Sequence, residues 1–322
     1  MEPLSGLRSE AAIIEEGYAW QRAGERVVLA TVAHTWGSSP RPAGAVMVLS
    51  EHGRFLGSVS GGCIEEELIA RVHDDFPDRF QTLQYDSDST RSLPCGGRLL
   101  LTLEPLADIA GLDELLAALR AGRSVERSIR LADGGAGWHE AEAGARTRLA
   151  DDHLAVVYDP AWHLVVVGAG ELAQWVSRLG RLLDYAVAVC DPRPEYREAW
   201  ALEDLAVSAE HPDDFIEALG CDARSAVVAL THDPKVDDLA IIEALATDAF
   251  YVGALGSRRT TAARAARLRE HFGMDDAAIA RIHGPVGIDL NSRRPQEIAL
   301  AVLTDITAAR NGVAISTHRL AT

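Results

Sequence analysis

Lysine is almost missing from this sequence. Of 31 basic residues in 322, only Lys235 is a lysine and the rest are arginines. This removes the phosphate-binding lysine of a GxxxxGK[ST] loop, which does not occur, and most Schiff-base chemistry. Positive charge is scarce altogether. Against 48 acidic residues the formal net charge is −17, the opposite of the basic surface that sequence-independent nucleic-acid binding needs, so no nucleic-acid partner is expected. Long apolar runs are missing too. None reaches the roughly 18 residues of a membrane span, and Met1 to Glu10 lacks the basic-then-apolar pattern of a secretion signal. A cytoplasmic location without a membrane partner is the expectation. Cysteine is sparse, at positions 63, 95, 190 and 221, with no CxxC pair and no zinc-like spacing. Reduced, separate thiols follow. Neither GxSxG nor HExxH is present.

What is there falls into two grammars, with a boundary expected between Asp151 and Ala161, giving domains 1–155 and 156–322. In the C-terminal half, apolar runs His163–Val167, Tyr185–Cys190, Ser225–Leu230 and Ala249–Gly253 alternate with helical spacing at Glu171–Leu183 and Lys235–Leu245. That is the pattern of a Rossmann-like, doubly wound parallel sheet covered on both faces. Ser257 is placed to cap a helix that Gly273 stops, and Pro295 to open one ending near Gly312. The N-terminal half reads as mixed α/β. Helices are expected at Ser9–Gln21, Ile64–His73 and Leu112–Leu119. Strands are expected at Val27–Ala33, Ala45–Leu49, Phe55–Val59, Phe80–Tyr85 and Leu99–Leu103. Glu51–Arg54 reads as a hairpin turn, and Asp133–Gly144, rich in Gly, Ala and Glu, as loop.

Two regions carry candidate chemistry. In the C-terminal half, Gly168-Ala169-Gly170-Glu171-Leu172-Ala173 is a GxGxxA turn between strand and helix, with Asp191 at the end of the next strand. This spacing suits a dinucleotide such as NAD, with pyrophosphate at the helix start and a ribose hydroxyl on Asp191. Asp191 capping locally or pairing with Arg193 is the plainer reading. The other strand ends offer His232 beside Asp233, and Gly256-Ser257-Arg258-Arg259, which suits an anion. In the N-terminal half, Ser58–Glu65 places Gly61, Gly62 and Cys63 at a helix start, where the macrodipole favours thiolate. Cys95-Gly96-Gly97-Arg98 precedes a strand, and Ser39 and Arg41 lie in a loop between two strands. Glycine-pair amides form anion-binding nests. The plainer reading is tight turns with cysteines filling small spaces.

Taken together, Ser38–Ala45, Gly57–Glu65, Cys95–Gly97, the glycine turn with Asp191-Pro192-Arg193, Tyr251–Arg259 and Arg281–Asp289 resemble the XdhC/CoxI family of molybdenum hydroxylase maturation factors. The segments occur in the family's order and span about positions 27 to 310. One departure is Glu171, where many members carry histidine. The resemblance implies an XdhC-type cofactor-binding domain followed by a Rossmann domain. It implies binding of molybdenum cofactor (molybdopterin), sulfuration with a cysteine desulfurase, and delivery to an apo molybdenum hydroxylase such as xanthine dehydrogenase, by a homodimer. Cys63 and Cys95 become the expected metal-side contacts, with Gly61, Gly62, Gly96 and Gly97 holding phosphate and Ser39 and Arg41 lining the same site. Cofactor insertion, more than catalysis, is then the expected role. The alternative is an NAD(P)-dependent oxidoreductase, for which His232–Asp233 is the nearest acid–base candidate.

Overall fold

The computed structural model describes residues 10–37, 41–86, 97–142 and 144–315. They form two compact units that divide between Ala161 and Trp162.

The first unit runs α1 (Glu10–Arg22), β1 (Val27–Trp36), β2 (Val46–Ser50), β3 (Phe55–Gly57), α2 (Glu65–Asp74), β4 (Gln81–Tyr85), β5 (Arg98–Pro105), α3 (Leu112–Arg120), β6 (Val125–Arg130), β7 (Ala136–Glu140), β8 (Arg148–Ala150) and β9 (His153–Tyr158). A five-stranded sheet has the order β3-β2-β1-β5-β4, and a four-stranded sheet has the order β7-β6-β9-β8. Every pairing in both is antiparallel. The near-continuous apolar run of β1 follows from burial on both faces. Val27 and Leu29 pack into one core with Ile14, Leu115, Ile129 and Val156. Val28, Ala30 and Val32 pack into another with Leu68 and Val72 of α2.

The four-stranded sheet departs from expectation, because residues 136–140 form a strand where the composition suggests a loop. Polar residues hide it. Arg127 of β6 is buried and pairs bidentately with buried Glu104, at 2.6 and 3.1 Å. Trp138 of β7 holds its edge by donating to the Ala110 carbonyl at 2.7 Å. The boundary expected after residue 155 falls inside β9, whose pairing with β6 keeps it in the first unit.

The second unit runs β10 (Trp162–Val167), α4 (Glu171–Leu182), β11 (Tyr185–Cys190), α5 (Pro194–Glu198), β12 (Val207–Ser208), α6 (Pro212–Leu219), β13 (Ser225–Ala229), α7 (Pro234–Ala246), β14 (Tyr251–Ala254), α8 (Arg258–Phe272), α9 (Asp276–Ala280), β15 (Ile282–His283) and α10 (Pro295–Arg310). Its six strands are parallel, in the order β12-β11-β10-β13-β14-β15. Numbered within the unit this is 3-2-1-4-5-6, the doubly wound Rossmann arrangement. Val165 and Val167 face one core and Leu164 and Val166 the other. Ser257 caps α8 by accepting from the Thr260 amide, and Gly273 ends the helix in the left-handed region. Among the described residues no helix is long and apolar enough to cross a membrane.

Candidate functional site

In the first unit, strand register decides which segments meet. Trp36 pairs with Arg98, Thr31 with Val46, Met47 with Gly57, and Tyr85 with Leu99. The ends of β1, β3 and β4 and the starts of β2 and β5 therefore lie at one edge of the sheet. The connections carrying Arg41, Cys63 and Cys95 all leave from that edge. Ser39, Cys95 and Gly96 lie outside the described residues. Gly97 is buried at the edge, its Cα 3.9 Å from where a Cβ on Gly37 would sit. The Arg98 guanidinium lies over the Trp36 ring at 5.1 Å, and the His34 ring meets Trp36 edge-on at 4.5 Å. Arg41 donates from Nε to the Ser58 carbonyl at 3.1 Å, which ties its loop to the Cys63 turn.

That turn is organised around Glu65. Its carboxylate accepts from the Ser58 hydroxyl at 2.6 Å, the Val59 amide at 3.1 Å, the Ser60 amide at 2.9 Å, the Gly62 amide at 2.9 Å, the Ile64 amide at 3.2 Å, and the Ser60 hydroxyl. Gly61 and Gly62, at φ +78° and +108°, let the backbone curl so that these donors converge. Burial would raise the Glu65 pKa, but the Ser58 and Ser60 hydroxyls and the amides outweigh it and hold the carboxyl at about 2. The expected phosphate nest is thus filled by the chain's own carboxylate. Gly62 donates to Glu65, and Gly61 donates to the Ser58 hydroxyl at 2.9 Å. Cys63 is left exposed at the tip, its amide bonded to the Ser60 hydroxyl at 2.9 Å. The edge therefore carries the Cys63 thiol and the Arg41 and Arg98 side chains, while the Gly62 amide is bonded to Glu65. Among the described residues no group of three or more His, Cys, Asp or Glu is placed to hold a metal ion.

In the second unit the glycine turn closes on itself. Asp191 is fully buried, accepting from the Ala169 amide at 2.8 Å, the Arg193 amide at 3.1 Å, and the Arg193 guanidinium at 2.9 and 2.8 Å. Burial would raise its pKa, but the Arg193 bonds and the Ala169 amide keep it low. Arg193 also stacks on Tyr196 at 3.8 Å. All of these partners lie within the chain, the local pairing of Asp191 with Arg193 that the sequence also allowed. Gly168 donates its amide to the Cys190 carbonyl at 2.7 Å, and Gly170 is the N-cap of α4. Cys190 is buried, and burial pushes its thiol pKa up. In the His232–Asp233 pair the acid is also engaged locally. Asp233 caps α7 by accepting from the Lys235 amide at 2.9 Å, and His232, at φ +64°, sits exposed on the turn.

Gly256 and Arg258 have a different setting. They line a pocket of about 720 Å³ at the C-terminal ends of β14 and β15. Ser257 is spent as the α8 cap. The pocket also takes in His283, Asp305 and a face of α10; His283 falls within the Arg281–Asp289 segment without a role of its own there, and Asp305 is not singled out by sequence patterning. The available signal was spacing. Ile298, Ala301, Asp305 and Ala309 recur at helical intervals with one acid among apolar residues.

The comparisons agree with this architecture. Residues 164–306 match the XdhC Rossmann domain, and residues 20–86 match the XdhC and CoxI family. The chain is 28% identical over 291 residues to the molybdenum cofactor insertion chaperone PaoD of Escherichia coli (strain K12), covering 89% of this chain and 84% of that protein. It is 26% identical over 323 residues to a probable xanthine dehydrogenase subunit of Bacillus subtilis (strain 168), covering 90% and 95%. A crystal structure described as a xanthine dehydrogenase from Bacillus halodurans shares the fold, with a TM-score of 0.75 at 23% identity over 95% of this chain and 98% of the other. With both halves matched in order on the antiparallel and parallel units described above, the chain belongs to the XdhC and CoxI family.

Proposed function

We propose that this protein binds molybdenum cofactor and delivers it to an apo molybdenum hydroxylase of the xanthine dehydrogenase type. The observation that carries the reading is the Glu65-locked turn, which presents the Cys63 thiol at the sheet edge from which the Arg41 and Cys95 connections also leave. The names of the relatives, a cofactor insertion chaperone and a xanthine dehydrogenase subunit, support it.

The residues fit such a cargo through side chains. A thiol is a soft partner for molybdenum and sulfur, and the arginines at 41 and 98 supply positive charge for a phosphate in a chain of net charge −17. An accessible thiol also suits release, since an exposed contact can be exchanged for one on the receiving protein. Sulfuration with a cysteine desulfurase, and action as a cytoplasmic homodimer, belong to the same proposal. The test is transfer. Chain loaded with cofactor is mixed with an apo-hydroxylase and the activity recovered is followed. Cys63→Ser should recover about a tenth or less of the wild-type activity; full recovery would remove the role given to Cys63.

A further inference from the structure

Strand β1 does not keep one register along its length. Against β5 it pairs Val28 with Pro105 and continues in step as far as Val32 with Leu101. A bulge then shifts the pairing by one residue, so that His34 faces Leu100 and Trp36 faces Arg98. Had the first register run on, Trp36 would lie opposite Gly97. A one-residue shift moves a side chain to the other face of a sheet, and bulges commonly serve to re-aim a side chain. This bulge turns the Trp36 indole onto the face that carries Arg98.

The indole meets two neighbours there. The Arg98 guanidinium carbon lies 5.1 Å from the ring centroid, inside the roughly 6 Å reach of a cation–π attraction. His34, two residues earlier on the same face, packs edge-on against the same ring at 4.5 Å and 70°, and so braces it. His34 and Trp36 are half-buried, while Arg98 is exposed. Other arginines of this acidic chain are held by acceptors. Arg127 spends donors on Glu104, Arg193 on Asp191 and Arg267 on Asp238, and Arg41 spends its Nε on the Ser58 carbonyl. The Arg98 side chain makes no hydrogen bond or ion pair among the described residues. An aromatic ring attracts the charge without consuming a donor or neutralising it. Arg98 is thus placed, yet keeps its N–H groups for a ligand.

We propose that Trp36 is a positioning residue of the Cys63 edge, which the β1 bulge aims so that its indole holds Arg98 ready to take a phosphate monoester. A guanidinium meets phosphate through paired N–H donors, so its value depends on both donors being uncommitted and on the group being held in place. A carboxylate partner would place Arg98 but cancel its charge, and a fully solvated arginine would keep the charge but not the place. The identity of the cargo that carries the phosphate rests on the cofactor reading; the lock itself rests on the bulge and the ring contacts.

Two measurements on the full chain separate the lock from the cargo. In the first, the chain is labelled with 15N-arginine and titrated with inorganic phosphate, the Arg98 Nε–H resonance being identified by its loss in Arg98→Gln. Phosphate should move that resonance in the wild type, a readout that needs no variant of Trp36 to fold. Trp36→Leu should weaken the response about fivefold or more, and Trp36→Tyr, which keeps a ring, should restore it to within about twofold. In the second, molybdenum is measured in chains purified from cells that make the cofactor. Trp36→Leu should lower it in the wild-type background and take nothing further from Arg98→Gln, whereas a merely structural tryptophan would lower both. A resonance that phosphate does not move, equal phosphate affinity in folded Trp36→Leu, no rescue by Trp36→Tyr, or a further loss of molybdenum in the double variant would each overturn the proposal. A wild-type chain that takes phosphate at Arg98 but carries no molybdenum would overturn the cofactor reading instead.

Discussion

Glu65 puts a full negative charge among the chain's own amides and hydroxyls. Its folded pKa of about 2 lies below the 4.5 of a free glutamate. The stability this gives is complete above about pH 4.5 and is lost as pH falls through about 2. Glu65→Gln should lower the urea midpoint at pH 7, since its amide nitrogen would face donors, and the gap from wild type should narrow between pH 4.5 and 2. A gap independent of pH would show that the charge is not what organises the turn. The cysteines differ as sharply. Cys63 is exposed, whereas burial closes off Cys190 and pushes the half-buried Cys221 thiol up to about 11. Brief iodoacetamide treatment of the native protein, read by peptide mass spectrometry, should label Cys63 and spare Cys190 until the chain is unfolded. At this scale the sequence showed which residues matter better than what they do. Gly62 and Asp191 were both marked for a ligand, and both have hydrogen-bond partners within the chain. A nest and its occupant look alike in one dimension, because the motif that could cradle phosphate also contains the carboxylate that fills it.

Caps and close approaches set the elements. Ser257 accepts from the Thr260 amide at the start of α8, so Ser257→Ala should cost about 1 kcal/mol in chemical denaturation. Gly287 has φ +88°, and a Cβ there would lie 2.9 Å from the Val302 amide nitrogen and 3.0 Å from the Ala301 carbonyl carbon in α10. Gly287→Ala should cost about 2 kcal/mol or more, read as a lower urea midpoint. Elements with local signals were readable. The Ser257 and Gly273 boundaries of α8, the Pro295 start of α10, and the Glu51–Arg54 hairpin all have short-range chemical causes. The four-stranded sheet was not, because β6 hides a buried Glu104–Arg127 pair and β7 is largely exposed, so neither shows clean alternation. Phe55–Val59 was expected as one strand but ends at Gly57, where the chain turns away to wrap Glu65.

Over the whole molecule, the parallel unit was legible because each strand is buried on both faces and reads as an apolar run between helices. The first unit was legible only as strands and helices, since antiparallel order depends on pairings that no local pattern states. The charge of −17 with one lysine returns here as a constraint: an anionic cargo must be drawn by a few arginines against the field of the molecule, so retention of cofactor should weaken in Arg98→Glu well before folding does. The most direct measurement is the molybdenum content of the chain purified from cells that make the cofactor. Wild type should carry substantially more molybdenum per chain than Cys63→Ser, with phosphate from the pterin released in equal amount. Equal molybdenum in the two, or none in the wild type, would contradict the assignment of Cys63 as the group that holds the cargo.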